Sequence, residues 1–105
     1  MRDNLPTLQI ELPKQDDLAA LCHRHRIRQL ALFGSALHND FGPESDVDIL
    51  VEFEPGTRLG LLTFIGIQEE LSGLFQRPVD LVTSEGLKPL IKEAVLNSIH
   101  VIYYE

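Results

Sequence analysis

The sequence predicts an α/β fold, a mixed sheet of about four strands flanked by helices. Three observations carry that prediction. Four short apolar runs, at residues 30–33, 47–53, 79–82 and 99–104, have the length of strands. Three other segments repeat apolar residues at i, i+3 and i+4, as an amphipathic helix does. The two kinds of segment alternate along the chain, the pattern of helices laid on a sheet. At 105 residues there is room for one domain.

Each element has its own signal. Residues 1–13 read as an N-terminal arm and 14–105 as the domain. In the arm Leu8, Ile10 and Leu12 alternate with polar residues between Pro6 and Pro13, suggesting a short strand or an extended tail. Asp16 or Asp17 can cap a helix reaching about Arg26, with Leu18, Leu21 and Cys22 as its apolar stripe. Residues 30–33 then form a buried strand. Gly34-Ser35 turns the chain into a short helix, and residues 39–45, rich in Asn, Asp, Gly, Pro and Ser, form a loop. Residues 47–53 are the strongest strand pattern, stopped by Pro55-Gly56. The next helix spans 59–76, with Phe64, Ile67, Leu71 and Leu74 on one face. Leu61, Leu62 and Ile65 add apolar surface beyond what one sheet contact requires. After the strand at 79–82, Leu87, Leu90, Ile91, Ala94 and Val95 trace a last helix, with Pro89 in its first turn. A strand at 99–104 closes the chain.

Composition narrows the class. The formal charge of −7 argues against direct nucleic-acid binding, which needs clustered Lys and Arg, and favours a basic protein partner or divalent cations. No run approaches the roughly 18 apolar residues of a membrane span, and the start has no signal-peptide pattern. One cysteine, Cys22, excludes an internal disulfide and a Cys cluster for zinc. A cytoplasmic protein is expected. His23 and His25 are two apart on a helix, face different ways and cannot jointly grip a metal. Neither they nor the isolated His100 is given a catalytic role. Arg24, Arg26 and Arg28 read as a solvated face.

The informative oddity is acidic. Asp46 and Asp48 are two apart at the mouth of an apolar strand, so both side chains point to one face, roughly 6.6 Å apart at Cβ. Val47 points the other way, into the core. Carboxylates so placed can share a hard cation such as Mg²⁺ or Mn²⁺. An isolated Asp-x-Asp is as readily a solvated turn residue followed by an exposed strand position. Asp80, inside its own strand, adds a third acid. It converges with the pair if the two strands are neighbours, and otherwise is an edge residue beside Arg77 or Lys88. Gly34 at a strand end permits close approach of backbone to a ligand. Ser35 can cap the following helix, whose free N–H groups suit phosphate.

Together these residues resemble a known family. Gly34-Ser35, ten residues, then Asp46-Val47-Asp48 is similar to the G-S-x10-D-x-D signature of the nucleotidyltransferase (DNA polymerase beta-like) superfamily. Arg77-Pro78-Val79-Asp80-Leu81-Val82 looks like the strand bearing that family's third acid, and the last helix and strand also match. The resemblance covers about residues 15–105. Larger members carry a second domain. A chain that ends at Glu105 looks like a minimal nucleotidyltransferase, the MNT antitoxin of a HEPN/MNT toxin–antitoxin pair. The resemblance implies the small nucleotidyltransferase fold and Mg²⁺-dependent transfer of AMP from ATP to a tyrosine of a HEPN ribonuclease toxin. It implies that Gly34, Ser35 and His38 hold the nucleotide. Asp46 and Asp48 would bind two Mg²⁺ ions, and Asp80 would complete the metal site and help deprotonate the acceptor. The chain departs from the pattern at His38, where relatives often have Arg, and at Asn39, where some have Gly. Neutral His brings less charge to a triphosphate than Arg. The competing reading is an idle acidic fold that silences a toxin by binding alone.

Overall fold

The computed structural model describes residues 12–34 and 46–105. The arm expected up to Glu11, the short helix expected after Gly34, the loop expected at 39–45, and Ser35 and His38 lie outside the described residues. Three helices and four strands follow in the order α1 (Gln15–Arg24), β1 (Ile27–Phe33), β2 (Val47–Phe53), α2 (Leu61–Phe75), β3 (Val79–Thr83), α3 (Pro89–Leu96) and β4 (His100–Tyr104). A 3-10 turn at Ser84–Gly86 follows β3.

The sheet is mixed, in the order β3-β2-β1-β4. β1 pairs antiparallel with β2 and with β4, while β2 and β3 run parallel and are joined through α2. β2 alternates by design of its sequence: Val47, Ile49 and Val51 are buried on one face. Leu30 and Leu32 of β1 and Val79 and Leu81 of β3 join them. Leu18, Leu21 and Cys22 of α1 and Ile67, Leu71 and Phe75 of α2 close over this face. The predicted stripe of α1 is therefore core; of the α2 stripe Ile67 and Leu71 are buried, while Phe64 and Leu74 pack partly buried against it.

Two expectations need correction, and α3 adds a finding of its own. Asp16 and Asp17 do not cap α1: Lys14 holds the N-cap position without a side-chain bond, and the two acids sit in the first turn, where they suit the helix dipole. The helix stops at Arg24, because Arg26 adopts a left-handed conformation (φ 58°) that no helix interior tolerates. The α3 stripe is not buried. No residue of α3 is buried, and Leu90 is 96% exposed. Pro89 does open α3, as its missing N–H allows.

β4 is tied to α1 by a small polar cluster. The Tyr103 hydroxyl donates to Glu105 Oε1 at 2.9 Å, and His23 Nε2 approaches the same oxygen at 3.2 Å. The His23 and Tyr103 rings meet edge-on at 6.5 Å. Burial, then the bond to Glu105, pushes the Tyr103 phenol up to about 12. Burial and then the Glu105 charge push the Cys22 thiol up to about 12. Among the described residues no helix is long and apolar enough to cross a membrane.

Two outcomes are expected. In urea denaturation Leu71→Ala should cost about 2–5 kcal/mol, while Leu90→Ala stays within about 0.5 kcal/mol. Both raised groups bind their protons more tightly folded than unfolded. Their stabilisation is complete below the unfolded values, 9.0 for Cys22 and 10.0 for Tyr103, and is lost as pH rises toward about 12. Tyr103→Phe should flatten the fall in stability between pH 10 and 12 in alkaline unfolding, and an unchanged slope would contradict this linkage.

Candidate functional site

The register of the sheet assembles the acids. Asp48 stands opposite Phe33 on β1 and opposite Asp80 on β3. Neighbouring strands lie about 4.8 Å apart, so Asp48 and Asp80 share one face at one end of the sheet. Asp46 precedes the first residue of β2 by one, and the Val47 amide between the two acids donates to the Pro78 carbonyl at 2.9 Å. The strand adjacency that the sequence left open is thus present. Asp46 and Asp80 are exposed and Asp48 is half-buried.

β3 is an edge strand, and α2 holds it in place. The amides flanking Asp80 are both engaged by α2 side chains: Val79 N–H donates to Ser72 Oγ at 3.0 Å and Leu81 N–H to Gln68 Oε1 at 2.9 Å. Ser72 in turn donates to the Gln68 carbonyl at 3.0 Å. Two outward amides of β3, those of Val79 and Leu81, are therefore satisfied, which blunts the edge and fixes the backbone that carries Asp80. Sequence reasoning missed Gln68 and Ser72. The signal was two hydrogen-bonding side chains four apart, each next to a buried residue of the apolar stripe, Ile67 and Leu71.

Gly34 has a specific reason to be glycine. Its φ is 74°, and a Cβ built there would overlap Asp48 Oδ2 and lie 3.2 Å from Asp48 Cγ. The end of β1 is thus a cradle for the Asp48 carboxylate that any side chain would fill.

The donor set suits a hard divalent cation: carboxylate oxygens on one sheet face, with a glycine backbone against one of them. Among the described residues no group of three or more His, Cys, Asp or Glu side chains stands close enough together to hold a metal ion. The ladder brings the three backbone positions together; it does not draw the three carboxylates to ligand distance. His23 and His25 are separate, as expected, with His25 Nε2 at 3.0 Å from Glu70 and His23 at Glu105.

Residues 18–102 match the nucleotidyltransferase domain family. The chain belongs to that family. Protein adenylyltransferase MntA of Thermococcus cleftensis is 39% identical over 79 residues, covering 75% of this chain and 78% of its own length. A solved structure assigned as a minimal nucleotidyltransferase superposes with a TM-score of 0.65 at 34% identity, over 84% of this chain and 86% of that one. Crystal structures of a toxin–antitoxin with AMP-PNP and of the toxin–antitoxin MntA-HepT superpose with TM-scores of 0.68 and 0.60. Their identities are 18% and 17%, each covers 86% of this chain, and the match takes in 73% and 69% of theirs. At those identities the likeness is one of fold.

Gly34→Ala should destabilise by at least about 1 kcal/mol, from its positive φ alone, with the overlap on Asp48 added. In an Asp48→Ala background the overlap term disappears, so a double-mutant cycle should show coupling of about 0.5 kcal/mol or more. Strict additivity would mean that the two residues do not touch.

Proposed function

We propose that this nucleotidyltransferase is a cytoplasmic antitoxin that transfers AMP from ATP to a tyrosine hydroxyl of a HEPN-family toxin. The observation that carries the reading is the register of Asp48 against Asp80, with Asp46 beside them and Gly34 cradling Asp48. The relative named protein adenylyltransferase MntA, and the fold shared with a toxin–antitoxin pair that carries AMP-PNP, support the acceptor class and the nucleotide.

In this reading Gly34, Ser35 and His38 receive the triphosphate, the glycine by offering bare backbone. Asp46, Asp48 and Asp80 would hold two Mg²⁺ ions. Bound there, Mg²⁺ would offset the roughly four negative charges of ATP beside an acidic sheet end and stabilise the charge that develops on the phosphates. Asp80, the more exposed member of the Asp48–Asp80 pair, takes the proton of the attacking hydroxyl. The new bond joins the tyrosine oxygen to the α-phosphorus. The bond from that phosphorus to the bridging oxygen breaks, and pyrophosphate leaves with its electron pair. Positioning of acceptor and nucleotide supplies most of the rate.

The acceptor tyrosine would be presented by the partner. Leu61 and Leu62, 74% and 84% exposed, remain candidates for contact with it. They open α2, at the end of the sheet opposite the acids, so they would anchor the toxin rather than line the reaction site.

The test is to mix the chain with ATP, Mg²⁺ and the toxin encoded beside it, then weigh the intact toxin. A gain of one or more AMP units is expected, and Asp48→Asn should lower its rate by about 100-fold or more while thermal unfolding stays close to that of the unaltered chain. A stable complex without mass gain would overturn transfer and leave neutralisation by binding alone.

A further inference from the structure

The two acids that face each other across the ladder are held unequally. Asp48 lies on β2, which is paired on both sides, with β1 and with β3, and its carboxylate rests against Gly34. Asp80 lies on β3, an edge strand paired only with β2. A strand with one ladder has half the backbone restraint of a strand with two, so the position of Asp80 depends on what holds the open side.

α2 holds it. In a parallel ladder the successive N–H groups of a strand face its partner and away from it in turn. Those of Val79 and Leu81 face away, and each meets an α2 side chain, Ser72 Oγ at 3.0 Å and Gln68 Oε1 at 2.9 Å. The spacings match. Residues four apart on a helix are separated by about 6 Å along its axis, and residues two apart on a strand by about 6.6 Å. α2 runs against β3, so Ser72 meets the earlier amide and Gln68 the later one. Asp80 stands between the two bonds, and β3 cannot turn there without stretching one of them.

Ser72 also builds the connection into the strand. Its carbonyl accepts the N–H of Gln76, the left-handed residue (φ 57°) that ends α2, and that of Arg77 at 3.2 Å. Residues 76–78, the whole link from α2 to β3, are thus folded back onto the residue whose hydroxyl receives the first amide of the strand. The Ser72 hydroxyl donates its own proton to the Gln68 carbonyl at 3.0 Å, which leaves its lone pairs to Val79.

Protection of an exposed edge accounts for part of this, since any partner blunts an edge, but water serves exposed amides as well. It does not account for two half-buried helix side chains that bracket the one acid of β3.

We propose that Gln68 and Ser72 are positioning residues for divalent-cation binding: their clamp on β3 holds Asp80 where it can share a cation with Asp48. The inference rests on the reading of these acids as metal ligands and adds the residues that make the edge acid usable. Neither side chain touches the ion. Groups that orient ligands from behind tune metal affinity strongly.

The test is a titration of the isotopically labelled full chain with Mn²⁺, a paramagnetic stand-in for Mg²⁺, following the broadening of backbone amides by NMR without nucleotide or toxin. In the unaltered chain saturable broadening is expected around Asp48 and Leu81, and Asp48→Asn should remove it. Gln68→Met and Ser72→Ala delete the two acceptors with residues that favour helix, and each should raise the half-saturating Mn²⁺ concentration about tenfold. Ser72→Thr keeps the hydroxyl and should bind as the unaltered chain does. Leu18→Ala, which removes core packing from α1, controls for lost stability: well below its unfolding temperature it should bind normally. Unchanged binding in both clamp variants would overturn the clamp while leaving the acids as ligands. So would a Ser72→Thr chain as weak as Ser72→Ala, or equal weakening by Leu18→Ala. Broadening that is absent from the unaltered chain, or indifferent to Asp48→Asn, would overturn the metal reading and this inference with it.

Discussion

The parallel pairing of β2 with β3 sets a constraint from which the rest follows. Burying Val47, Ile49 and Val51 against Val79 and Leu81 fixes one register, and in that register Asp48 stands opposite Asp80. A slip by one residue would turn the whole apolar face of β2 to solvent. Like charges directly opposite in a sheet repel, so the core imposes on this sheet end an arrangement that local electrostatics would reject. The cost is contained by exposure of Asp80 and by half-burial of Asp48 against a residue without a side chain. Packing energy thus holds two carboxylates together where chemistry can use them.

That division explains which parts could be read from the sequence. β2 and α2 were legible because alternation and a 3.6-residue stripe are long-lived signals that the core then honours. The first residues of β1 were not, since Arg28 and Gln29 follow Ile27 and break the apolar run; the ladder to β2 and β4 makes them strand. The last helix was legible as a helix, but its exposure was not. Periodicity reports amphipathicity, and it does not say whether anything covers the stripe. For the site, the spacing of Asp46 and Asp48 on one face followed from strand geometry, whereas the neighbouring position of Asp80 required the sheet order. The roles of Gln68 and Ser72 were beyond sequence reasoning, because each acts on amides of a strand seven or more residues away.

The polarity of the sheet organises the surface as well. At the start of β2 the chain concentrates carboxylates; at its end, helix termini and arginines gather. Two helix ends meet there, the C-terminus of α1 and the N-terminus of α2: Arg24 sits in the last turn of α1, where a cation complements the dipole, and Arg58 leads into α2. An acidic chain can in this way present two separate fields, each screened from the other over a distance longer than the roughly 8 Å Debye length at physiological salt.

α3 stands apart from this organisation. β4 is held without it, by its ladder to β1 and by the Tyr103–Glu105–His23 contacts to α1. An eight-residue helix is marginal in water on propensity alone, and α3 adds no buried side chain to offset that. Its stability therefore comes from being tethered at both ends, by the 3-10 turn that Thr83 closes through its hydroxyl and by Ser98, which donates back to the Ala94 carbonyl at 3.1 Å. Such a segment opens at lower free energy than the core sheet. Since the core elements are complete without it, loosening of α3 would leave the register of Asp48 and Asp80 intact. The chemistry of the sheet end and the order of its most exposed apolar helix are thereby uncoupled.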